Sequence, residues 1–194
     1  MNTPCDERPF RVVGIDPGTD TIGFSILDLY LSSGRIVVAN SETIALSKLL
    51  SNWRNEETTH GARTARLMAL EERLFIYFET NQVHAVCAES PFLRKFPQTF
   101  AALTECISYI RRAVMAFDRY MPLELVDPPT AKKAVGVHVK KGVTKDDVKS
   151  AIRKLDLEFA DGINLELLDE HSVDSIAVAY HQALIFKAQI PTSS

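Results

Sequence analysis

The chain has 194 residues, and its 22 Lys and Arg against 25 Asp and Glu give a formal net charge of −3. This length fits one domain and excludes two full domains with a cleft between them, and the 46% hydrophobic and 24% charged fractions are typical of a globular protein rather than a disordered one. The mildly acidic total argues against a protein that coats nucleic acid by bulk charge, but it does not exclude a local basic groove.

The first part of the chain predicts three consecutive strands. Apolar or alternating residues at 11–15, 21–30 and 35–45 are separated by Asp-Pro-Gly and Ser-Ser-Gly turn sequences, a pattern typical of an antiparallel meander. The polar segment 52–59, which contains Trp53, is predicted to be a loop.

Helical periodicity then alternates with short apolar segments. Apolar residues spaced by three and four predict helices over about 61–80 and 97–120, and the segments 84–88 and 123–126 indicate two further strands. The helix at 97–120 has two apolar stripes, which predicts burial against the sheet on one side and against a partner subunit on the other. A homodimer is therefore expected.

The last third predicts a short helix at 130–135, a basic loop at 138–143, a helix at 144–155, an irregular acidic segment at 156–168 and a final helix at 170–187. The order of elements indicates an α/β fold with a mixed five-stranded sheet, three antiparallel strands followed by parallel ones, flanked by helices. We expect a single domain over 1–194 with flexible tails at 1–9 and 189–194.

Three acidic residues stand at the ends of predicted elements. Asp16 follows the first strand, Glu89 follows the strand at 84–88, and Asp174 lies in the first turn of the last helix. Each alone is more simply a strand end or a helix cap, but strand ends in an open α/β sheet face the crevice where ligands bind. Converging carboxylates need a cation between them, and hard oxygen ligands suit Mg²⁺ or Mn²⁺. The tight turn after Asp16 makes it the strongest candidate.

His171 is a further candidate because it stands three residues before Asp174 and so shares a helix face with it. Its spacing favours a role as metal ligand or as base. Asp169 and Glu170 are adjacent and could compete for the same role.

The basic residues concentrate in one segment. Residues 128–154 contain eight basic and two acidic residues, a local +6, which leaves −9 for the rest of the chain. A lysine run is usually a solvated face, but the position beside the acidic set favours phosphate contacts. The segment's basic residues are Lys132, Lys133, Lys140, Lys141, Lys145, Lys149, Arg153 and Lys154, and Arg94 and Lys95 follow Phe92 in another basic loop. Phe92 and Phe96 there could stack on unpaired bases.

Three motifs, GIDPGTDTIGFSIL at 14–27, AESPF at 88–92 and HSVDSIAVA at 171–179, together resemble the RuvC family of Holliday-junction resolvases. The segment TAKKAVGVHVKKGVTKDDV at 130–148 resembles the basic segment of that family. The resemblance covers almost the whole chain in order. It implies an RNase H-like fold of the retroviral integrase superfamily, a homodimer, two Mg²⁺ or Mn²⁺ ions per active site, and paired symmetric nicking of four-way DNA that leaves 5′-phosphate and 3′-hydroxyl ends.

The resemblance also implies roles for individual residues. Asp16, Glu89 and Asp174 match the family's catalytic carboxylates, and His171 falls where members carry Asp or His. Phe92 matches an aromatic that stacks at the junction centre, although Pro91 before it departs from the pattern. The matches to basic residues near the scissile phosphate are Lys132 or Lys133 and Lys145.

Two alternatives remain open, and the chain length excludes a third. The same fold could cleave RNA–DNA hybrids or other branched DNA such as flaps, or it could bind junctions without cleaving them. A sugar-kinase or actin-like protein also opens with an Asp-x-Gly-Thr turn, here residues 16–19, but needs two such domains.

The three cysteines are too few and scattered for a disulfide framework or a zinc site. A cytoplasmic or other reducing, DNA-containing compartment is expected, and secretion is not, because residues 1–10 contain no apolar stretch.

Overall fold

The computed structural model describes residues 8–92, 96–137 and 145–190 and contains one six-stranded mixed sheet. Its strands are β1 (Phe10–Asp16), β2 (Thr21–Tyr30), β3 (Arg35–Ala45), β4 (Ala85–Glu89), β5 (Leu123–Val126) and β6 (Glu158–Phe159). The spatial order is β5-β4-β1-β2-β3-β6. The first three strands pair antiparallel, β4 and β5 run parallel to β1, and β6 runs parallel to β3. The predicted mixed α/β architecture is confirmed.

Helices cover both faces of this sheet. They are α1 (Arg54–His60), α2 (Ala62–Asn81), α3 (Pro97–Phe117), α4 (Pro128–Ala134), α5 (Lys145–Ile152) and α6 (Glu170–Lys187). One core joins α2 and α3 to the strand residues that point to their side, such as Ile15 and Phe24. The other joins α5 and α6 to the opposite side, with Val12 and Leu27. None of the described helices is long and apolar enough to span a membrane.

Two sequence-based assignments were wrong. The sheet has six strands rather than five, because the acidic segment 156–168 contributes β6 beside β3. The predicted loop at 52–59 is instead the end of a 3₁₀ helix (Leu46–Asn52) followed by α1. Helix α1 buries none of its residues, so it has no apolar stripe, and the polar composition of an exposed helix resembled that of a loop.

The predicted second apolar stripe of α3 is only partly covered. Ala113 is buried and Tyr109 half-buried, whereas Ala116 is exposed. The helix ends at Phe117, and Tyr120 beyond it is 87% exposed. Burial of this face by a second subunit stays a prediction.

Two glycines set the distance between α6 and the sheet. A Cβ atom at Gly14 of β1 would overlap the carbonyl oxygen of Ser175 and the backbone nitrogen of Ala179. A Cβ atom at Gly23 of β2, which pairs with Asp16, would overlap the carbonyl oxygen of His171. The absence of side chains at these positions lets the first turns of α6 lie directly on the backbone of β1 and β2.

Candidate active site at the carboxyl edge of the sheet

The site is built where three parallel strands end side by side. Ile15 of β1 pairs with Ala88 of β4, so the next residues, Asp16 and Glu89, leave the same edge as neighbours. Glu89 in turn pairs with Val126, the last residue of β5. The carboxyl ends of parallel strands in an α/β sheet are the usual position for a ligand site. The predicted convergence of Asp16 and Glu89 therefore follows from strand pairing.

Helix α6 brings His171 against Asp16. The Nδ1 atom of His171 lies 2.7 Å from Oδ2 of Asp16, and its Nε2 atom lies 2.9 Å from the hydroxyl of Thr21. The hydrogen bond to Asp16 raises the pKa of His171 above its usual value; partial burial opposes this, and the charges of Asp16, Asp169 and Asp174 add to the increase. The imidazole is thus held at both nitrogens and is biased toward its protonated form.

Asp174 lies one helical turn after His171 and next to a cation from another helix. Its Oδ2 atom is 3.8 Å from the ammonium nitrogen of Lys132 on α4, and both side chains are a little over one-quarter exposed. The charge of Asp174 also acts on His171. Lys132, predicted to contact phosphate, therefore reaches Asp174, one of the three candidate carboxylates.

The neighbouring acids have a different role. Asp169 is the N-cap of α6, where its side chain accepts a hydrogen bond of 2.9 Å from the backbone N–H of Ser172. Partial burial alone would raise the pKa of Asp169, but hydrogen bonds from Ser172 and Thr43 outweigh it and lower the pKa. Asp169 caps the helix, and Glu170 approaches the Nε2 side of His171 at 4.0 Å.

No group of three or more His, Cys, Asp or Glu side chains within the described ranges is close enough to form a metal site. Asp16 is instead paired with His171, and Asp174 with Lys132. The chemistry of the donors nevertheless fits a hard divalent cation, because Asp16, Glu89 and Asp174 offer carboxylate oxygens at one edge of the sheet. Asp16 and Asp174 are also only partly exposed, at 14% and 28% of their side chains, so a bound cation would be partly shielded from water.

A pocket of about 280 Å³ opens beside Glu89. Its walls are mainly apolar and are formed by Pro17, Glu89, Ser90, Phe92, Phe96, Thr99, Leu103 and Pro128. Phe92 and Phe96 are 55% and 69% exposed. Two exposed aromatic rings beside a carboxylate are unusual for a packed core and suit a flat ligand.

The predicted basic strip divides into residues that face outward and residues that are used internally. Lys133 on α4 is exposed. Lys149 donates hydrogen bonds to the carbonyl oxygens of Leu168, at 2.8 Å, and Glu166, at 3.2 Å, and Arg153 pairs with the Glu166 side chain at 2.6 Å. Through these contacts Lys149 and Arg153 connect the C-terminal part of α5 to the segment before α6. Lys145 begins α5, and its side chain lies outside the described part of the chain, as do Arg94, Lys95, Lys140 and Lys141.

Sequence reasoning missed several residues that hold this site. Thr21 bonds to His171, and Ser25, Ser41 and Thr43 bond to the first turns of α6. The only sequence signal for these contacts was the spacing of Ser172 and Ser175, three residues apart on the inner face of α6. Serine is common on exposed helix faces as well, so this spacing alone does not predict a contact.

No protein-family model matches the chain, and no curated protein matches it in sequence. Solved structures do resemble it. Thermus thermophilus RuvC in complex with a Holliday junction substrate superposes with a TM-score of 0.67 at 17% identity, covering 92% of this chain and 96% of that one. The yeast mitochondrial Holliday junction resolvase gives a TM-score of 0.65 at 19% identity, with coverages of 94% and 81%.

The fowlpox virus Holliday junction resolvase is a more distant match, with a TM-score of 0.51 at 15% identity over 92% of this chain and 99% of that one. These identities are too low to transfer an activity, but the agreement extends over nearly the full described chain in all three cases. The RNase H-like architecture implied by the sequence resemblance is thereby confirmed, and the chain has the fold of the RuvC-type Holliday junction resolvases.

Proposed function

We propose that this protein is a structure-selective DNA endonuclease that resolves four-way junctions by paired symmetric nicking. One observation carries the proposal: Asp16 and Glu89 leave adjacent parallel strands, and α6 brings His171 into contact with Asp16 and places Asp174 near His171. The solved structures of the same fold include a RuvC determined with a Holliday junction substrate, which supports branched DNA as the substrate class.

Asp16, Glu89 and Asp174 would hold the cofactor, two Mg²⁺ or Mn²⁺ ions. The ions would supply activation of a water and stabilisation of the leaving 3′ oxygen, giving 5′-phosphate and 3′-hydroxyl ends. His171 would orient Asp16 through the Nδ1 hydrogen bond, bind the second ion or orient the attacking water. Lys132 would place positive charge near the scissile phosphate, since its ammonium nitrogen lies 3.8 Å from Asp174.

The remaining contacts would come from the pocket and the basic residues. Phe92 would stack on bases at the junction centre, since it is exposed and adjacent to Glu89. Lys132, Lys133, Lys140, Lys141 and Lys145, with Arg94 and Lys95, would contact phosphates. A homodimer would present two such sites, one to each of two opposed strands, as paired nicking requires.

The direct test compares purified protein on four substrates labelled in every strand: a four-way junction, a flap, plain duplex and an RNA–DNA hybrid. We expect nicking of the junction in two opposed strands at symmetric positions, in Mg²⁺ or Mn²⁺ and not in EDTA. Religation of the products by DNA ligase without further treatment would verify the 5′-phosphate and 3′-hydroxyl ends. Preferred cleavage of the hybrid would instead favour an RNase H-type activity, and binding without cleavage of any substrate would favour a junction-binding module.

The basic segment gives a second prediction. Replacing both Lys140 and Lys141 with Ala should weaken junction binding and reduce the slope of log Kd against log salt concentration by about 2, because each phosphate contact releases roughly one counterion. Binding would be measured by fluorescence anisotropy in Ca²⁺ at several salt concentrations. Arg35→Ala is the matched control, since Arg35 pairs with Glu158 near the far edge of the sheet. An unchanged slope in the double variant removes these lysines from the interface.

A further inference from the structure

The contact between α6 and the sheet contains a chain of buried hydroxyl groups. Ser25 of β2 is fully buried, and its Oγ atom lies 2.6 Å from Oγ of Ser175 and 2.9 Å from Oγ of Ser41 on β3. Ser25 and Ser41 also both approach the carbonyl oxygen of Ser172 at 3.3 Å. Three strand and helix serines thus meet at one point inside an otherwise apolar interface.

A second set of hydroxyl contacts lies at the N-terminus of the same helix. Thr43 of β3 donates a hydrogen bond of 2.6 Å to Oδ1 of the N-cap Asp169. The Thr43 hydroxyl is also 2.9 Å from the Ser172 hydroxyl. The first two turns of α6 are therefore connected to β2 and β3 through Ser25, Ser41 and Thr43.

Simple packing would not require these hydroxyl groups. An alanine in the place of Ser25 would fill nearly the same volume, and burying a hydroxyl is costly unless hydrogen bonds replace its contacts with water, as those of Ser25 do here. The surrounding interface is apolar: Val173 and Ile176 of α6 pack in one core with strand residues such as Leu27. Apolar packing is non-directional, so it fixes the rotation and translation of the helix less sharply than hydrogen bonds do. Hydrogen bonds depend on direction and distance and can fix both.

The residues held in this way are the immediate neighbours of the candidate catalytic residues. Ser172 follows His171, and Ser175 follows Asp174. His171 depends on its helix position to keep Nδ1 at 2.7 Å from Asp16. A rotation or shift of α6 that broke the serine contacts would move His171 and Asp174 relative to Asp16 and Glu89.

We propose that Ser25, Ser41 and Thr43 are positioning residues that set the register of α6 on the sheet, so that His171 and Asp174 meet the strand-end carboxylates in the geometry needed for cleavage. This assignment rests on the proposed nuclease function for its kinetic consequence. It applies to the geometry of α6 whether or not the substrate is a four-way junction.

The kinetic test uses two variants that remove a hydroxyl, Ser25→Ala and the nearly isosteric Thr43→Val. On a junction substrate we expect kcat to fall about 10- to 100-fold and KM to change by no more than about threefold, because displaced catalytic groups affect the transition state more than substrate binding. Thr43→Ser keeps the hydroxyl and should retain most of the wild-type kcat. Ile36→Val removes one buried methyl group elsewhere on the same sheet and controls for a general loss of packing.

A second experiment tests the positioning role without measuring activity. Hydrogen–deuterium exchange should speed up in the peptide covering 169–176 of Ser25→Ala and Thr43→Val, and should stay unchanged in the peptide covering 180–187. If Ser25→Ala does not fold, Ser41→Ala, at a half-buried position, replaces it. Unchanged exchange at 169–176, or equal kcat losses in Thr43→Ser and Thr43→Val, would overturn the positioning role. Wild-type protein that cleaves none of the substrates would defeat the nuclease proposal alone, since the exchange arm still decides the positioning role.

Discussion

Asp16→Asn should abolish nicking of a four-way junction while leaving binding nearly intact. Asparagine keeps the size of the side chain and removes its charge, so it no longer neutralises the cations that the proposed mechanism requires. Transition-state stabilisation by such ions amounts to several kcal/mol, and at about 1.4 kcal/mol per tenfold the expected loss of rate is roughly 1000-fold or more. The measurement is single-turnover cleavage in Mg²⁺ with enzyme in excess.

Junction affinity provides the internal comparison for Asp16→Asn. Kd in Ca²⁺ should stay within about threefold of wild type, because phosphate contacts from basic residues supply most of the binding. Asp161→Asn makes the same chemical change in an exposed turn and should cleave at the wild-type rate. Nicking by Asp16→Asn in Mg²⁺ at the rate of this control would show that the metal-site assignment is wrong.

His171→Ala should lower the cleavage rate by about 10- to 100-fold, the usual cost of losing a residue that orients a metal ligand. The reason is geometric: the imidazole holds one oxygen of Asp16 at 2.7 Å and is itself held by Thr21. Without it, the Asp16 carboxylate is free to rotate. The readout is kcat on a junction substrate together with the Mn²⁺ affinity of the free protein by calorimetry, which does not depend on turnover.

The control for this prediction is His181→Ala, ten residues further along the same helix and so about 15 Å away. His181 is half-buried, and partial burial lowers its pKa, with the charge of Asp127 opposing that shift. Its loss tests the general effect of removing a half-buried histidine from α6. Equal losses of rate and Mn²⁺ affinity in the two variants would remove His171 from the site. The resemblance implies that Asp is compatible with position 171, so His171→Asp should cleave faster than His171→Ala.

The candidate site combines charges from four separate elements, β1, β4, α4 and α6. Local sequence patterns predicted the charges from β1, β4 and α6, because Asp16, Glu89 and Asp174 each stand at the end of an apolar element. It did not place Lys132 beside Asp174, because α4 and α6 are separated along the chain by more than thirty residues. A contact of this kind depends on how α4 packs against α6.

The individual contacts of the basic residues could not be predicted from local sequence either. Charge counting identified residues 128–154 as a basic segment, and composition alone gave every lysine in it the same expected role. The structure distinguishes them: Lys132 reaches the carboxylate of Asp174, whereas Lys149 donates hydrogen bonds to the backbone carbonyl groups of Glu166 and Leu168 in the segment before α6. A charge pattern reports the sign of a surface, but the partner of each side chain depends on tertiary packing.

The sequence by itself determined the order of the strands and helices apart from α1 and β6, and the antiparallel start of the sheet. The acidic set of Asp16, Glu89 and Asp174 stays a prediction from the sequence. Hydrophobic periodicity and turn residues act over a few positions, so they can be read along the chain. Only the tertiary structure decided the sixth strand, the contact of His171 with Asp16 and the buried hydroxyl chain beneath α6. These depend on pairings between residues far apart in sequence, which local patterns do not encode. The net charge of −3 thus combines a basic segment with an acidic remainder, and the fold brings Lys132 of that segment to Asp174.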